Sequence, residues 1–423
     1  MAYESGEPDR LAASITAGPE DHGRVLIYSH DTFGLGHLRR SRAIANALVA
    51  ERPGLSAVIV SGSPVIGSFD FGPGVDYVRV PGVTKLADGG YRSLNLNLSI
   101  EDATHFREAL ILQSAETFRP DVFIVDKEPT GFRGEILPAL ERLRSQGCRI
   151  VLGVRDVMDE PSLLVPEWER KGAVEILERY YDEIWVYGLA DIYRPLDALP
   201  LSPRLTQATI YTGYLRRELP NEPMLRRYPT LTRQPFILVT TGGGGDGDDL
   251  IDWVISAYES GEEIDLPALV VFGPFTDRDR RQGFLDRIRR HPKLDAVSFD
   301  TKLELLMDRA TAIVAMGGYN TFCEILSLDK RSLIVPRTTP RLEQFIRATE
   351  AQRLGLVGLL AEEEDGRRDP AAMAEALRRL PSQPRPSEVV VPGLLDGLDV
   401  IRNRFAVALH GERSAHLLRH AAE

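Results

Sequence analysis

Glycines stand between an apolar run and a helix-forming run at three places in this chain. Gly34 and Gly36 lie in Phe33–His37, Gly242 and Gly243 in Thr240–Gly245, and Gly317 and Gly318 in Met316–Thr321. Glycine tolerates positive φ and lets main-chain amides approach an anion closely. A helix that follows adds unpaired N–H groups and the positive end of its dipole. Such loops suit phosphate. What is missing narrows the choice: no G-x-x-x-x-G-K-[ST] occurs, and Arg39 stands where the last glycine of G-x-G-x-x-G would be. ATPase-type and ordinary dinucleotide binding lose ground for that reason.

His37 closes the first loop, and imidazole titrates near neutrality, so it is the leading candidate for a general base. His30 and Asp31 share the loop and could orient or replace it. Asp126, Glu128 and Arg155 fall at the ends of apolar runs, where open α/β sheets place ligands. An arginine there could hold an anionic substrate or a pyrophosphate, or simply pair with Asp156. Asp246, Asp248 and Asp249 follow the second glycine loop, and capping of the next helix accounts for them more simply than a metal does. Cys323 falls inside a helical run and reads as a small core residue rather than a nucleophile. The basic run Arg278–Lys293 reads as a solvated helix face.

These residues need strands and helices in alternation to position them. Strands are expected at 24–29, 57–60, 122–125, 150–152 and 184–186, with helices at 38–50, 103–118 and 133–146. The pattern lapses over 216–235, which holds Pro220, Pro223, Pro229 and Pro235, and then restarts. Strands follow at 236–240, 269–272, 296–299, 312–315 and 332–335. Alternation of this kind predicts parallel, doubly wound sheets with helices on both faces. The expected organisation is a polar leader over 1–22, an α/β domain over 23–215, a connection over 216–235 and a second α/β domain over 236–393. A helical tail over 394–423 carries Leu395, Leu398, Ile401, Phe405 and Leu409 on one stripe and packs on the body.

The chain has 423 residues, 43% hydrophobic and 27% charged, as expected of a globular protein with more than one domain. A net charge of −11 argues against a nucleic-acid partner. Two distant cysteines and the lack of a long apolar run point to a cytoplasmic protein, with peripheral contact at a membrane face left open.

The strings Gly34-Leu35-Gly36-His37-Leu38-Arg39-Arg40 and Gly317-Gly318-Tyr319-Asn320-Thr321-Phe322-Cys323-Glu324 resemble those of GT-B glycosyltransferases, most closely the peptidoglycan GlcNAc-transferase branch. That resemblance implies two Rossmann-like domains facing a cleft, the second holding a nucleotide-sugar donor and the first an acceptor. Residue by residue, it implies that Gly34, Gly36, Thr241, Gly242, Gly243, Gly317, Gly318, Asn320 and Thr321 approach the donor diphosphate. Glu324 would meet the ribose, and Glu343 with Gln344 the donor sugar. His37 and Asp31 remain the catalytic candidates, with Asp126, Glu128 and Arg155 on the acceptor side. The sequence departs from that branch at Asp31-Thr32-Phe33, where its members carry more glycines. The first string also resembles nucleotide-sugar hydrolases of nonulosonic-acid synthesis. The expected activity is metal-independent, inverting transfer from a nucleoside diphosphate sugar, most simply UDP-linked, to a hydroxyl acceptor. The alternative is a nucleotide-sugar hydrolase or 2-epimerase. No cofactor is expected, and neither acceptor nor oligomeric state is legible.

Overall fold

The computed structural model describes residues 23–30, 36–86, 90–219, 228–242, 246–273, 276–298, 302–363 and 365–410. The first lobe is built on a seven-stranded sheet. Its strands are Arg24–Ser29 (β1), Ser56–Ser61 (β2), Val75–Arg79 (β3), Val122–Asp126 (β4), Arg149–Arg155 (β5), Glu183–Tyr187 (β6) and Thr209–Tyr211 (β7). All pair in parallel, in the order β3-β2-β1-β4-β5-β6-β7. Helices Gly36–Glu51 (α1), Ile100–Phe118 (α2) and Leu137–Ser145 (α3) cover its faces. Val25 to Tyr28 and Val122 to Val125 are almost wholly buried because a central parallel strand is covered on both sides.

The second lobe repeats the plan with six strands. They are Ile237–Thr240 (β8), Ala268–Val271 (β9), Leu294–Val297 (β10), Ala312–Ala315 (β11), Arg331–Ile334 (β12) and Gly358–Leu359 (β13), ordered β10-β9-β8-β11-β12-β13. Its helices include Asp248–Glu259 (α4), Tyr319–Ser327 (α5), Glu343–Arg353 (α6) and Pro370–Arg379 (α7). In both sheets the order reverses beside the first strand, between β1 and β4 and between β8 and β11. A crevice opens at that point, beyond the carboxyl ends of the strands.

Several sequence expectations shift. The helix expected at 133–146 starts at Leu137, because Gly131, Arg133 and Gly134 adopt positive φ and break the first turn. β10 ends before the strand expected at 296–299 does. The short or weakly apolar edge strands β3, β7 and β13 were not expected from the sequence.

Helix Gly397–His410 (α8) returns to the first lobe. Arg402 Nε donates to Ala47 O at 3.2 Å, Arg404 pairs with Glu183, and Ile401 and Phe405 are fully buried. The crossing is tight: a Cβ on Gly213, whose φ is +85°, would lie 2.2 Å from Gly393 O. Tyr214 N donates to Leu394 O at 2.8 Å.

The lobes share one core. Tyr214 packs edge-on against Phe322 at 5.1 Å between ring centres. Beside it Arg347 Nε and Nη2 donate to Asp156 at 2.7 and 2.6 Å, Tyr214 Oη donates to the same carboxylate at 2.9 Å, and both charged groups are at most 1% exposed. Removing one partner of such a pair strands the other charge away from water. Arg347→Met should therefore lower unfolding free energy by about 3–5 kcal/mol in urea denaturation. A loss below about 1 kcal/mol would mean that water reaches the pair.

Candidate functional site

His37 lies in the first turn of α1, next to the reversal point of the first sheet, and Asp126 is the last residue of β4. Their placement brings His37 Nδ1 to 2.5 Å from Asp126 Oδ2. Arg40, one turn further along α1, donates Nε and Nη2 to the two oxygens of the same carboxylate, each at 2.8 Å. The guanidinium and the imidazole hold the Asp126 carboxyl well below the usual carboxylate range despite its burial. An ionised Asp126 assigns the proton to His37 Nδ1, although Arg40 Nη2 also lies 3.0 Å from that nitrogen. Nε2 then carries a lone pair and makes no hydrogen bond among the described residues. Burial lowers the His37 pKa to about 4, opposed by Asp126 and helped by Arg40 and Lys127. The imidazole is therefore neutral at physiological pH and able to accept a proton.

His30 does not orient His37. Its ring meets that of His37 edge-on at 5.9 Å, and it faces Tyr28, whose hydroxyl donates to Glu135 at 2.7 Å. Asp31, Gly34 and Gly243, singled out in the sequence, lie outside the described residues.

The reversal point of the second sheet faces His37. Asn320 Nδ2, in the first turn of α5, donates to Gly36 O across the lobes at 3.0 Å, and Arg217 Nη2 donates to Asn320 Oδ1 at 2.7 Å. Gly317 has φ +79°, and a Cβ there would press to 2.6 Å on Ile334. Its carbonyl accepts from Arg347 Nη1 at 2.9 Å. Gly318 caps α5 without a side-chain bond, and a Cβ there would meet open space. Thr321 lies beside Gly242, whose φ is +71°. Thr241 is buried against Gly247.

Glu324, a turn and a half into α5, is 1% exposed, and among the described residues neither carboxylate oxygen has a hydrogen-bond partner. Arg39 of the first lobe lies 2.5 Å away in an ion pair without hydrogen-bond alignment, and it also pairs with Glu304. Burial pushes the Glu324 carboxyl up.

Glu343 opens α6 and accepts from Arg155 Nη2 and Arg337 Nη2, both at 3.1 Å. Despite burial, Arg155, Arg347 and Arg337 hold its pKa at about 2. Gln344 Oε1 accepts from Arg337 N at 3.1 Å. Arg155 and Asp156 do not pair with each other: side chains alternate along the chain, so each meets its own partner in the second lobe, Glu343 and Arg347. Glu128 pairs with Lys171 at 2.6 Å. Gly247, not an aspartate, caps α4 without a side-chain bond, while Asp246 pairs with Arg337 and Asp248 and Asp249 fill the first turn. Burial pushes the Cys323 thiol up to about 11, so it stays protonated. Among the described residues no group of three or more His, Cys, Asp or Glu side chains is placed to hold a metal, and no helix is long and apolar enough to cross a membrane.

Arg40 and Arg347 were missed in the sequence. Their helical spacing, three residues after His37 and four after Glu343, is the signal that would have found them.

Comparison with known proteins agrees with this architecture. Residues 236–384 match the Glycosyltransferase family 28 C-terminal domain. Among curated protein sequences none matches the chain significantly. Among solved structures, a UDP-glucosyltransferase from Polygonum tinctorium aligns with TM-score 0.60 at 13% identity, over 96% of this chain and 98% of its own. The glycosyltransferase of kitacinnamycin aligns with TM-score 0.59 at 15% identity, over 94% and 98%. MurG of Acinetobacter baumannii aligns with TM-score 0.53 at 12% identity, over 90% and 99%. The fold is theirs throughout, and the second lobe is a glycosyltransferase domain; the chain is a glycosyltransferase.

The buried imidazole also sets a pH dependence. Unfolded, His37 binds a proton near 6.5, but folded it resists until about 4, so acid favours unfolding in that window and stability is lost as pH falls through it. The stability advantage of the wild type over His37→Asn should shrink by about 1.4 kcal/mol per pH unit below 6.5. Urea denaturation at several pH values checks this, and a constant difference would show an ordinary histidine.

Proposed function

We propose that this glycosyltransferase takes its sugar from a nucleoside diphosphate donor, uridine-linked, and passes it with inversion to a hydroxyl acceptor without using a metal. The carrying observation is the contact of Asn320 with Gly36, which sets the start of α5 against the His37–Asp126 pair. A diphosphate on the Gly317–Thr321 turn would face main-chain N–H groups and the positive end of the α5 dipole. Those groups supply the charge stabilisation a leaving diphosphate needs.

His37 Nε2 would take the proton of the acceptor hydroxyl as its oxygen bonds to the anomeric carbon and the carbon–phosphate-oxygen bond breaks. The electron pair leaves on the diphosphate. A base on one lobe and a leaving group on the other suit a single displacement, which inverts the carbon. Burial, helped by Arg40 and opposed by Asp126, keeps His37 a weak base. The negative diphosphate would raise its pKa once bound.

The orphaned oxygens of Glu324 suit the two ribose hydroxyls, which would donate to them in place of Arg39. Ionised Glu343, with Gln344, can accept from hydroxyls of the donor sugar. Uridine rests on the resemblance of the glycine motifs and on the UDP-glucosyltransferase neighbour.

A thermal-shift screen of nucleoside diphosphates tests donor binding: at 100 times its Kd a ligand adds about 2.7 kcal/mol. Absence of a shift with any of them would remove the donor site. His37→Ala should lower turnover by about 100- to 10,000-fold while nucleotide affinity holds. Asn320→Ala should do the opposite and weaken the nucleotide. Stoichiometric release of free sugar without acceptor, or a new nucleotide-sugar isomer, would replace transfer by hydrolysis or epimerisation.

A further inference from the structure

Lys127 follows Asp126 at the end of β4, in the cleft, and nothing in the reaction above uses it. Its φ of +70° is in the left-handed region, which costs a side-chain-bearing residue about 1–2 kcal/mol. The turn itself is held by main chain: Lys127 N donates to Gly153 O at 2.7 Å and Glu128 N to Asp126 O at 2.9 Å. Glycine or asparagine would make that turn at less cost, so the backbone does not call for a lysine.

The neighbouring charges leave Lys127 over. Glu128 meets Lys171 through Oε2 alone, its Oε1 being buried without a hydrogen-bond partner among the described residues, Glu167 is shared by Lys171 and Arg341, and Asp159 is taken by Arg341. Glu343 is shared by Arg155 and Arg337. Among the described residues the Lys127 side chain has no hydrogen bond or ion pair, although it lies within electrostatic reach of Arg155, Arg341, Glu128 and Glu343. Burial and the two arginines lower its pKa to about 8, the mark of a cation short of a counter-ion. Two more donors are unspent around Glu343: among the described residues Nε of Arg155 and Nε of Arg337 are buried without a partner. Arg337 also lines a cleft of about 390 Å³ with Asp246, Trp253 and Met316. A half-buried ammonium and buried donors left unpaired mark a place that a ligand completes.

We propose that Lys127, with the free Nε groups of Arg155 and Arg337, seats a carboxylate or phosphate carried by one of the two substrates, next to Glu343 and distinct from the donor diphosphate. The enzyme would thus act on an anionic sugar or an anionic acceptor, and neutral counterparts would leave the seat empty. This rests on the cleft being the transfer site.

The test is titration calorimetry on the full chain, wild type and Lys127→Gln, with matched probes. Glucose 1-phosphate against methyl glucoside, with and without UDP, reads the acceptor side. UDP-glucuronate against UDP-glucose reads the donor sugar. The wild type should prefer the charged member of one pair by about tenfold or more, Lys127→Gln should abolish that preference, and affinity for UDP alone should stay within about twofold. Lys127→Arg, which keeps the charge, should restore the preference and shows that the turn tolerates substitution. The pair that discriminates identifies which substrate carries the anion. No preference in the wild type, or its persistence in Lys127→Gln, overturns the proposal. So does an equal loss of UDP affinity, which would assign Lys127 to the diphosphate. Should UDP fail to bind at all, the donor reading falls, and glucose 1-phosphate against methyl glucoside without nucleotide still decides the seat.

Discussion

Arg347 and Asp156 neutralise each other where neither reaches water, and the arrangement of both lobes follows from that constraint. Asp156 directly follows the last residue of β5 in the first lobe, and Arg347 is one turn into α6 of the second. Each charge alone would be expensive to bury, so the pair holds only while the lobes meet in one register. The remaining Arg347 donor reaches Gly317 O, tying the turn before α5 to the same contact. A single guanidinium therefore fixes both the lobe interface and the loop that the proposed diphosphate would meet.

Around that fixed point the cleft is built from charges shared rather than simply paired. Asp126 serves His37 and Arg40 at once, Glu343 serves Arg155 and Arg337, and Arg39 serves Glu304 and Glu324. Sharing has a chemical result. Asp126, shared with Arg40, orients the imidazole, and burial keeps that base neutral against the pull of the carboxylate. A glutamate held ionised by two arginines stays an acceptor. Glu324 is the exception, since Arg39 lies close without aligned hydrogen bonds and its oxygens find no hydrogen-bond partner among the described residues.

Both halves place these groups by the same topological device. The strand order reverses beside β1 and beside β8, and residues following the central strands collect at the gap. The tail reinforces it: α8 leaves the second lobe, threads past Gly213 and buries Ile401 and Phe405 on the first. Residues far apart in the chain are thus held to hydrogen-bond distance, as with Gly36 and Asn320.

Much of this was legible from local pattern. Apolar runs alternating with helical stretches gave two parallel α/β lobes, and glycines at a strand end marked the turn before α5. His37, Asp126 and Arg155 stood out by type and position, because strand ends and helix starts are read from neighbouring residues, while Glu324 and Glu343 came only through the resemblance to known glycosyltransferases. Pairing is not local. That Asp126 rather than His30 orients His37, that Arg155 and Asp156 each reach a different residue of the other lobe, and that the Lys127 side chain finds no partner among the described residues depend on distances between segments some ninety to two hundred residues apart in sequence. A charge's partner is set by which segments the fold brings within a few ångströms of it, and that choice, made by packing two lobes on one buried ion pair, leaves no periodic trace in the order of amino acids.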